Sequence, residues 1–178
     1  MKSYKEIEGW FDFEETYDFL LESVPEGGVF VEVGAWLGKS SSYLCSKAGD
    51  KKIHIVDTWK GSPDELDTYH KLATETDIYE IFLSNMSGYE FTPYRSDSIV
   101  ASKQFEDKSC DVVFIDATHN YESVLADVKA WLPKVKDGGY ISGHDYASWW
   151  PGVVKAIDEV FGDKVIVMNG CWIYKKDN

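Results

Sequence analysis

Basic side chains of one kind are almost missing from this chain. Arginine occurs once, at Arg95, and the formal net charge is −13. A nucleic-acid binder takes most of its affinity from Lys and Arg on phosphates, and neither residue clusters here. The expectation is no nucleic-acid partner and no membrane partner. No apolar run approaches the roughly 18 residues that span a bilayer. Met1 to Trp10 carry no signal-peptide hydrophobic segment, so the expected location is cytoplasmic. Cysteine is scarce too. Cys45, Cys110 and Cys171 are odd in number and far apart, with no CxxC spacing. That pattern suggests neither a disulfide framework nor a zinc site, and reads as buried, reduced thiols.

What is present fits one domain with a full-sized core: 178 residues, 44% of them apolar. The expected division is an N-terminal helical segment over 1–25 and a catalytic core over 26–178. Phe13, Tyr17, Leu20, Leu21 and Val24 share one helical face, and Pro25 to Gly28 stop that helix. Val29–Val33 reads as a buried strand. Leu37, Ser41, Leu44, Cys45 and Ala48 form the next helical face. Ile53–Val56 is a second strand, ending in Asp57. One longer helix is expected at roughly Glu65–Met86, then a weaker strand at Tyr89–Tyr94, irregular near Pro93. Asp111–Ile115 is an unbroken apolar strand of the kind a parallel sheet covers on both faces. Tyr121, Val124, Leu125, Val128, Trp131 and Leu132 make a helical stripe, closed by Pro133 and Gly138-Gly139. Tyr140–Ser142 is a fifth strand, and Val153 to Phe161 a final helix. Lys164–Met168 and Cys171–Tyr174 flank Asn169-Gly170, a strong hairpin signal. Repeated strand–helix alternation predicts an α/β fold: a doubly wound, mostly parallel seven-stranded sheet with a C-terminal antiparallel hairpin.

In open α/β sheets ligands bind outside the carboxyl ends of the strands. Those ends carry Glu32 to Gly38, Asp57-Thr58-Trp59, Ser96-Asp97-Ser98, Asp116 to His119, and Gly143-His144-Asp145-Tyr146. So many Asp and His residues after apolar strands are hard to explain as packing.

The order of elements and these residues resemble a class I S-adenosylmethionine-dependent methyltransferase over nearly the whole chain after the first helix. Glu32-Val33-Gly34-Ala35-Trp36-Leu37-Gly38 departs from the common acidic-x-Gly-x-Gly-x-Gly motif at Trp36. It is similar to the methyltransferase-24-like branch, as are Phe114 to Glu122 and Gly138 to Asp145. The resemblance implies a methyltransferase that uses S-adenosyl-L-methionine. It implies cofactor contacts from Glu32, Gly34, Ala35, Trp36, Gly38, Ser40 and Ser41, from Asp57, Thr58 and Trp59, and from Asp97, Ser98 and Asp116. Gly34 and Gly38 would let backbone approach the methionine part, Glu32 would face its ammonium, Asp57 would accept both ribose hydroxyls, and Asp97 and Ser98 would lie near the adenine.

The catalytic candidates are Asp116, His119, His144 and Asp145. Asp116, His144 and Asp145 offer ligands for Mg²⁺ or another divalent metal. Without a metal, His144 or His119 would serve as general base. The partner implied is a small-molecule methyl acceptor, modified at a hydroxyl oxygen, with Trp59, Tyr146, Trp149 and Trp150 as pocket walls. A homo-oligomer through the N-terminal helix or the hairpin stays open. The alternatives are an NAD-type or nucleotide-sugar enzyme, disfavoured because Trp36 breaks the GxGxxG spacing, and a non-catalytic cofactor-binding relative.

Overall fold

A computed structural model describes residues 1–61 and 68–177. Seven strands form one sheet in the order β3-β2-β1-β4-β5-β7-β6. They are β1 (Val29–Val33), β2 (Lys52–Asp57), β3 (Thr92–Arg95), β4 (Cys110–Ile115), β5 (Val135–Gly143), β6 (Ile166–Met168) and β7 (Cys171–Lys175). The first five run parallel, and β7 lies antiparallel between β5 and β6. This is the doubly wound, mostly parallel sheet that the strand–helix alternation predicts.

Successive side chains of a strand point to opposite faces, and both faces are buried here. Phe30, Ile53, Ile55, Val112 and Phe114 pack with α1 (Glu14–Ser23), α2 (Lys39–Lys47) and α4 (Ile78–Asn85). Val31, Val33, Val113, Ile115 and Ile141 pack with α6 (Tyr121–Trp131) and α7 (Pro151–Phe161) on the other. Continuous apolar strands are therefore required at the centre. The hairpin turn holds Asn169 and Gly170 at φ 50° and 72°, the left-handed pair that a type I′ turn needs. Cys110 and Cys171 are buried and Cys45 is half-buried. Burial pushes all three thiols up, Cys110 to about 11.

Three local expectations change. The long helix over 65–86 is two: α3 (Thr68–Glu75) and α4, with residues 65–67 outside the described ones. Asp77 ends the continuity by capping α4, its carboxylate accepting from the Tyr79 amide at 3.1 Å. The lone arginine then ties Asp77 to β3 through a 2.9 Å ion pair. The weak strand is the four residues of β3, and its Pro93 is tolerated because β3 is the sheet edge. Gly138-Gly139 does not close α6 but lies inside β5, which begins at Val135. The register against β4 slips between Cys110 and Val112, and a Cβ on Gly139 would come 2.6 Å from the Asp111 carbonyl. No described helix is long and apolar enough to cross a membrane.

Candidate active site

A cavity of about 300 Å³ opens at the carboxyl ends of β1 to β4. Gly34, Ala35 and Trp36 line it after β1, Asp57 and Thr58 after β2, Ser96 to Ile99 after β3, and Asp116 to Thr118 after β4. Gly34 is the hinge of the wall. Its φ is +93°, and a Cβ there would sit 1.8 Å from the Asp116 carbonyl oxygen. Only glycine lets the β1 turn pass that close to the β4 turn.

Asp57 holds the turns together. One carboxylate oxygen accepts from the Ala35 and Trp36 amides at 2.8 and 2.9 Å, the other from the Trp59 amide at 2.7 Å. A carboxylate has about four acceptor positions. After these three, one direction is left for a ligand hydroxyl, where the sequence suggested two. Asp97 is similarly engaged: it caps α5 (Ser98–Ser102), accepting from the Ile99 and Val100 amides. Ser98 accepts from the Trp131 indole at 2.8 Å.

Glu32, Gly38, Ser40, Ser41 and Trp59 do not reach the cavity wall. Trp59 is core, packed between Tyr79 and Phe82, and its indole donates to the Trp36 carbonyl at 2.9 Å. Gly38, at φ +90°, starts α2 close against Met86 and Phe82. Glu32 is fully buried beneath the glycine turn, where it accepts from Tyr17 at 2.7 Å and from Ser41. Burial pushes its carboxyl up to about 7, against the Ser41, Ser40 and Tyr17 hydroxyls that pull it down.

That shift has a defined pH signature. Glu32 binds its proton more tightly in the folded protein than at the ordinary value of 4.5. Its stabilising contribution is complete below that value and is lost as pH rises through about 7. The loss is roughly 3 kcal/mol from the size of the shift. Glu32→Gln removes it. Urea unfolding at pH 5 and pH 7.5 should therefore show wild type losing roughly 2–3 kcal/mol more than the variant. Parallel pH slopes would contradict the buried-carboxylate assignment.

The four catalytic candidates do converge. His144 follows β5, its amide donating to the Ile115 carbonyl at 3.1 Å, and its ring packs on Phe13 at 4.4 Å. His144 Nδ1 lies 3.4 Å from Asp145 Oδ1 and 3.9 Å from Asp116 Oδ1. His119 Nε2 lies 2.8 Å from Asp145 Oδ2, and its ring stacks on Trp150 at 3.9 Å. Burial alone would lower the His144 imidazole, but Asp145, Asp116 and Asp12 outweigh it and hold it above its ordinary value. Asp145, at φ +61°, is half-buried, which would raise it, yet the two imidazoles hold it well below the usual carboxylate range. Asp116 and Thr118 line both the large cavity and the small pocket over this cluster. The buried Thr118 hydroxyl has no hydrogen-bond partner among the described residues.

The family model described as a methyltransferase domain, Methyltransf_24, matches residues 31–146. The chain belongs to this methyltransferase family. The matched span holds the glycine turn, Asp57, Asp97 and all four clustered residues. The chain is 30% identical over 123 residues to the uncharacterized protein y4gI of Sinorhizobium fredii, a match covering 65% of this chain and only 13% of that protein. Among solved structures, the O-methyltransferase NovP has a TM-score of 0.65 at 19% identity, covering 93% of this chain and 79% of its own. A methyltransferase-like protein from Streptococcus mutans, SMU.1697c, solved in complex with SAH, has a TM-score of 0.59 at 12% identity, covering 90% and 93%. At these identities the structural likeness establishes the fold, which is that of class I methyltransferases.

Some wall residues of the methyltransferase escaped the sequence reading: Trp10, Ile99, Ser123, Ala126 and Asp127. Ser123, Ala126 and Asp127 fall at i, i+3 and i+4 on α6, so the acid among apolar neighbours was a readable signal. Trp10, 60% exposed, belongs to an irregular segment with no periodicity to mark it. Of the aromatic residues expected around an acceptor, Trp150 stacks on His119, whereas Trp149 is 74% exposed.

Proposed function

We propose that this methyltransferase moves the methyl group of S-adenosylmethionine to a hydroxyl oxygen of a small molecule, with a divalent cation assisting at Asp116, His144 and Asp145. The observation that carries this reading is one shared residue. Asp116 lines the nucleoside-sized cavity and also belongs to the carboxylate–imidazole cluster beside it. A methyl donor in the first and a hydroxyl over the second would meet at the Asp116–Thr118 turn.

The donor set fits a cation. Ligand atoms of Asp116, His144 and Asp145 lie within 4.8 Å of one another, and all three side chains are half-buried. Carboxylates with one imidazole suit Mn²⁺, Fe²⁺ or Mg²⁺. A bound cation would lower the pKa of the acceptor hydroxyl and offset the converging negative charge. The chain's own residues do the rest. His119 orients Asp145 through its hydrogen bond, and Trp150 holds the His119 ring in place. The unpartnered Thr118 hydroxyl offers a hydrogen bond to whichever ligand reaches the turn. The sulfonium is already activated, so alignment is the main task and proton removal the second.

A net charge of −13 with one arginine supports a small acceptor rather than a polyanion. The test is formation of S-adenosylhomocysteine from S-adenosylmethionine across a panel of phenols and sugar alcohols, with Mg²⁺, with Mn²⁺ and with chelator. Metal-dependent turnover on a hydroxylated acceptor supports the reading. Turnover undiminished in chelator removes the cation from it.

A further inference from the structure

Three acidic side chains are buried among the described residues: Glu32, Asp111 and Asp127. Two are compensated. Asp111 is held by Lys136 at 2.7 Å and by the Val29 amide at 2.8 Å, and Glu32 by Tyr17 and Ser41. Asp127 is different. It is 6% exposed on α6, with one side-chain hydrogen bond, from the Ser98 hydroxyl, where Glu32 has several, and with the like-charged Asp97 nearby. Among the described residues no Lys, Arg or His forms an ion pair with it. Burial pushes its carboxyl up to about 6, so much of the population is ionised at neutral pH with no cation beside it. Burying a carboxylate on those terms is costly. Asp127 lines the large cavity, so a ligand there is placed to supply a further donor.

The place in the cavity says which donor. The wall runs outward along the sheet from the Gly34 turn, past Asp57 and Thr58, to Ser96–Ile99 at the edge strand. On the cofactor reading above, on which this inference rests, the amino-acid end lies at the Gly34 turn and the ribose at Asp57. The base then falls between the start of α5 and the face of α6. Ile99 and Ala126 give that space apolar walls. Its other polar groups are partly occupied. One oxygen of Asp97 caps α5, and Ser98 accepts from the Trp131 indole. Asp127 is the buried carboxylate among them. Adenine carries one strong donor group on its edge, the exocyclic amine.

We propose that Asp127 is a specificity-determining residue that reads the adenine of the cofactor, one carboxylate oxygen accepting an N–H of the exocyclic amine. Replacing that amine by a carbonyl, as in hypoxanthine, turns an acceptor–donor contact into an acceptor–acceptor clash. Sites built around a hydrogen bond discriminate strongly against the analogue that lacks it.

The experiment is calorimetric titration of wild type and Asp127→Asn with S-adenosylhomocysteine and with S-inosylhomocysteine. Wild type should prefer the adenosyl form by about 100-fold, the size expected for a charged hydrogen bond lost and unreplaced. In Asp127→Asn the side-chain amide can turn its NH₂ toward the carbonyl, and the preference should fall below about 10-fold. Equal loss of affinity for both ligands, with the ratio kept, would mean Asp127 only shapes the helix, and would overturn the inference. If the variant does not fold, the wild-type ratio and Asp127→Ala decide: no preference in wild type, or a preference undiminished in Asp127→Ala, also overturns it. Wild type that binds S-adenosylhomocysteine without discriminating refutes this inference and leaves the cofactor reading standing. Wild type that binds neither ligand refutes both.

Discussion

Asp145→Ala should abolish methyl transfer, by about 10³-fold or more, and leave the dissociation constant for S-adenosylhomocysteine within about threefold of wild type. The split follows from where the side chain lies. Asp145 borders the small pocket with His119 and His144 and does not line the large cavity. Its two oxygens engage both imidazoles, Oδ2 with His119 at 2.8 Å and Oδ1 with His144 at 3.4 Å. Removing the carboxylate releases both rings and takes one donor from the proposed cation set. The residue sits in the left-handed region at φ +61°, which Asp and Asn tolerate better than Ala. Asp145→Asn is therefore the companion variant, since it keeps the backbone preference and removes the charge. Turnover and calorimetry on the two variants read the effect. Turnover within tenfold of wild type in both would take Asp145 out of the chemistry.

Gly34→Ala should disrupt the cavity itself. A Cβ at this position would lie 1.8 Å from the Asp116 carbonyl oxygen, at a backbone φ of +93°. Neither strand end can retreat freely. The Gly34 amide donates to the Val56 carbonyl at 2.8 Å, and the Asp116 amide to the Val33 carbonyl at 2.7 Å. The expected cost is about 3–5 kcal/mol, from overpacking plus left-handed strain. Gly49→Ala is the control. Its φ is +61° but nothing lies within 4 Å of the added carbon, so it should lose only about 1 kcal/mol. Urea unfolding measures both, and titration of Gly34→Ala with S-adenosylhomocysteine should show no binding. Equal losses at the two glycines would mean that the close approach of the turns carries no energetic weight.

Much of this was legible in the chain before any coordinates. Val112 to Ile115 had to be a strand covered on both faces, because no residue in it tolerates water. Asn169-Gly170 had to be a tight turn, because both residues accept positive φ. The strand-end acids and histidines pointed to one edge of the sheet, and Asp116, His119, His144 and Asp145 do meet there. What sequence could not supply is which hydrogen bonds an acid has already made. Asp57 and Asp97 read as free ligands, yet both are partly spent on backbone amides. Glu32 read as a ligand at the turn, yet a tyrosine fifteen positions earlier and a serine nine positions later enclose it under the turn. Those partners come from different elements, and periodicity within one element carries no trace of them. The break between α3 and α4 was missed for a related reason. Asp77 fits the polar face of one long helix as well as the cap of a new one, and its ion pair with Arg95 comes from a distant strand.

The measurement that tests the central claim most directly is titration of the wild-type methyltransferase with S-adenosylhomocysteine, followed by calorimetry and by the shift in melting temperature. The account predicts one site per chain with a micromolar dissociation constant and a higher Tm. No heat and no shift at millimolar ligand would contradict it.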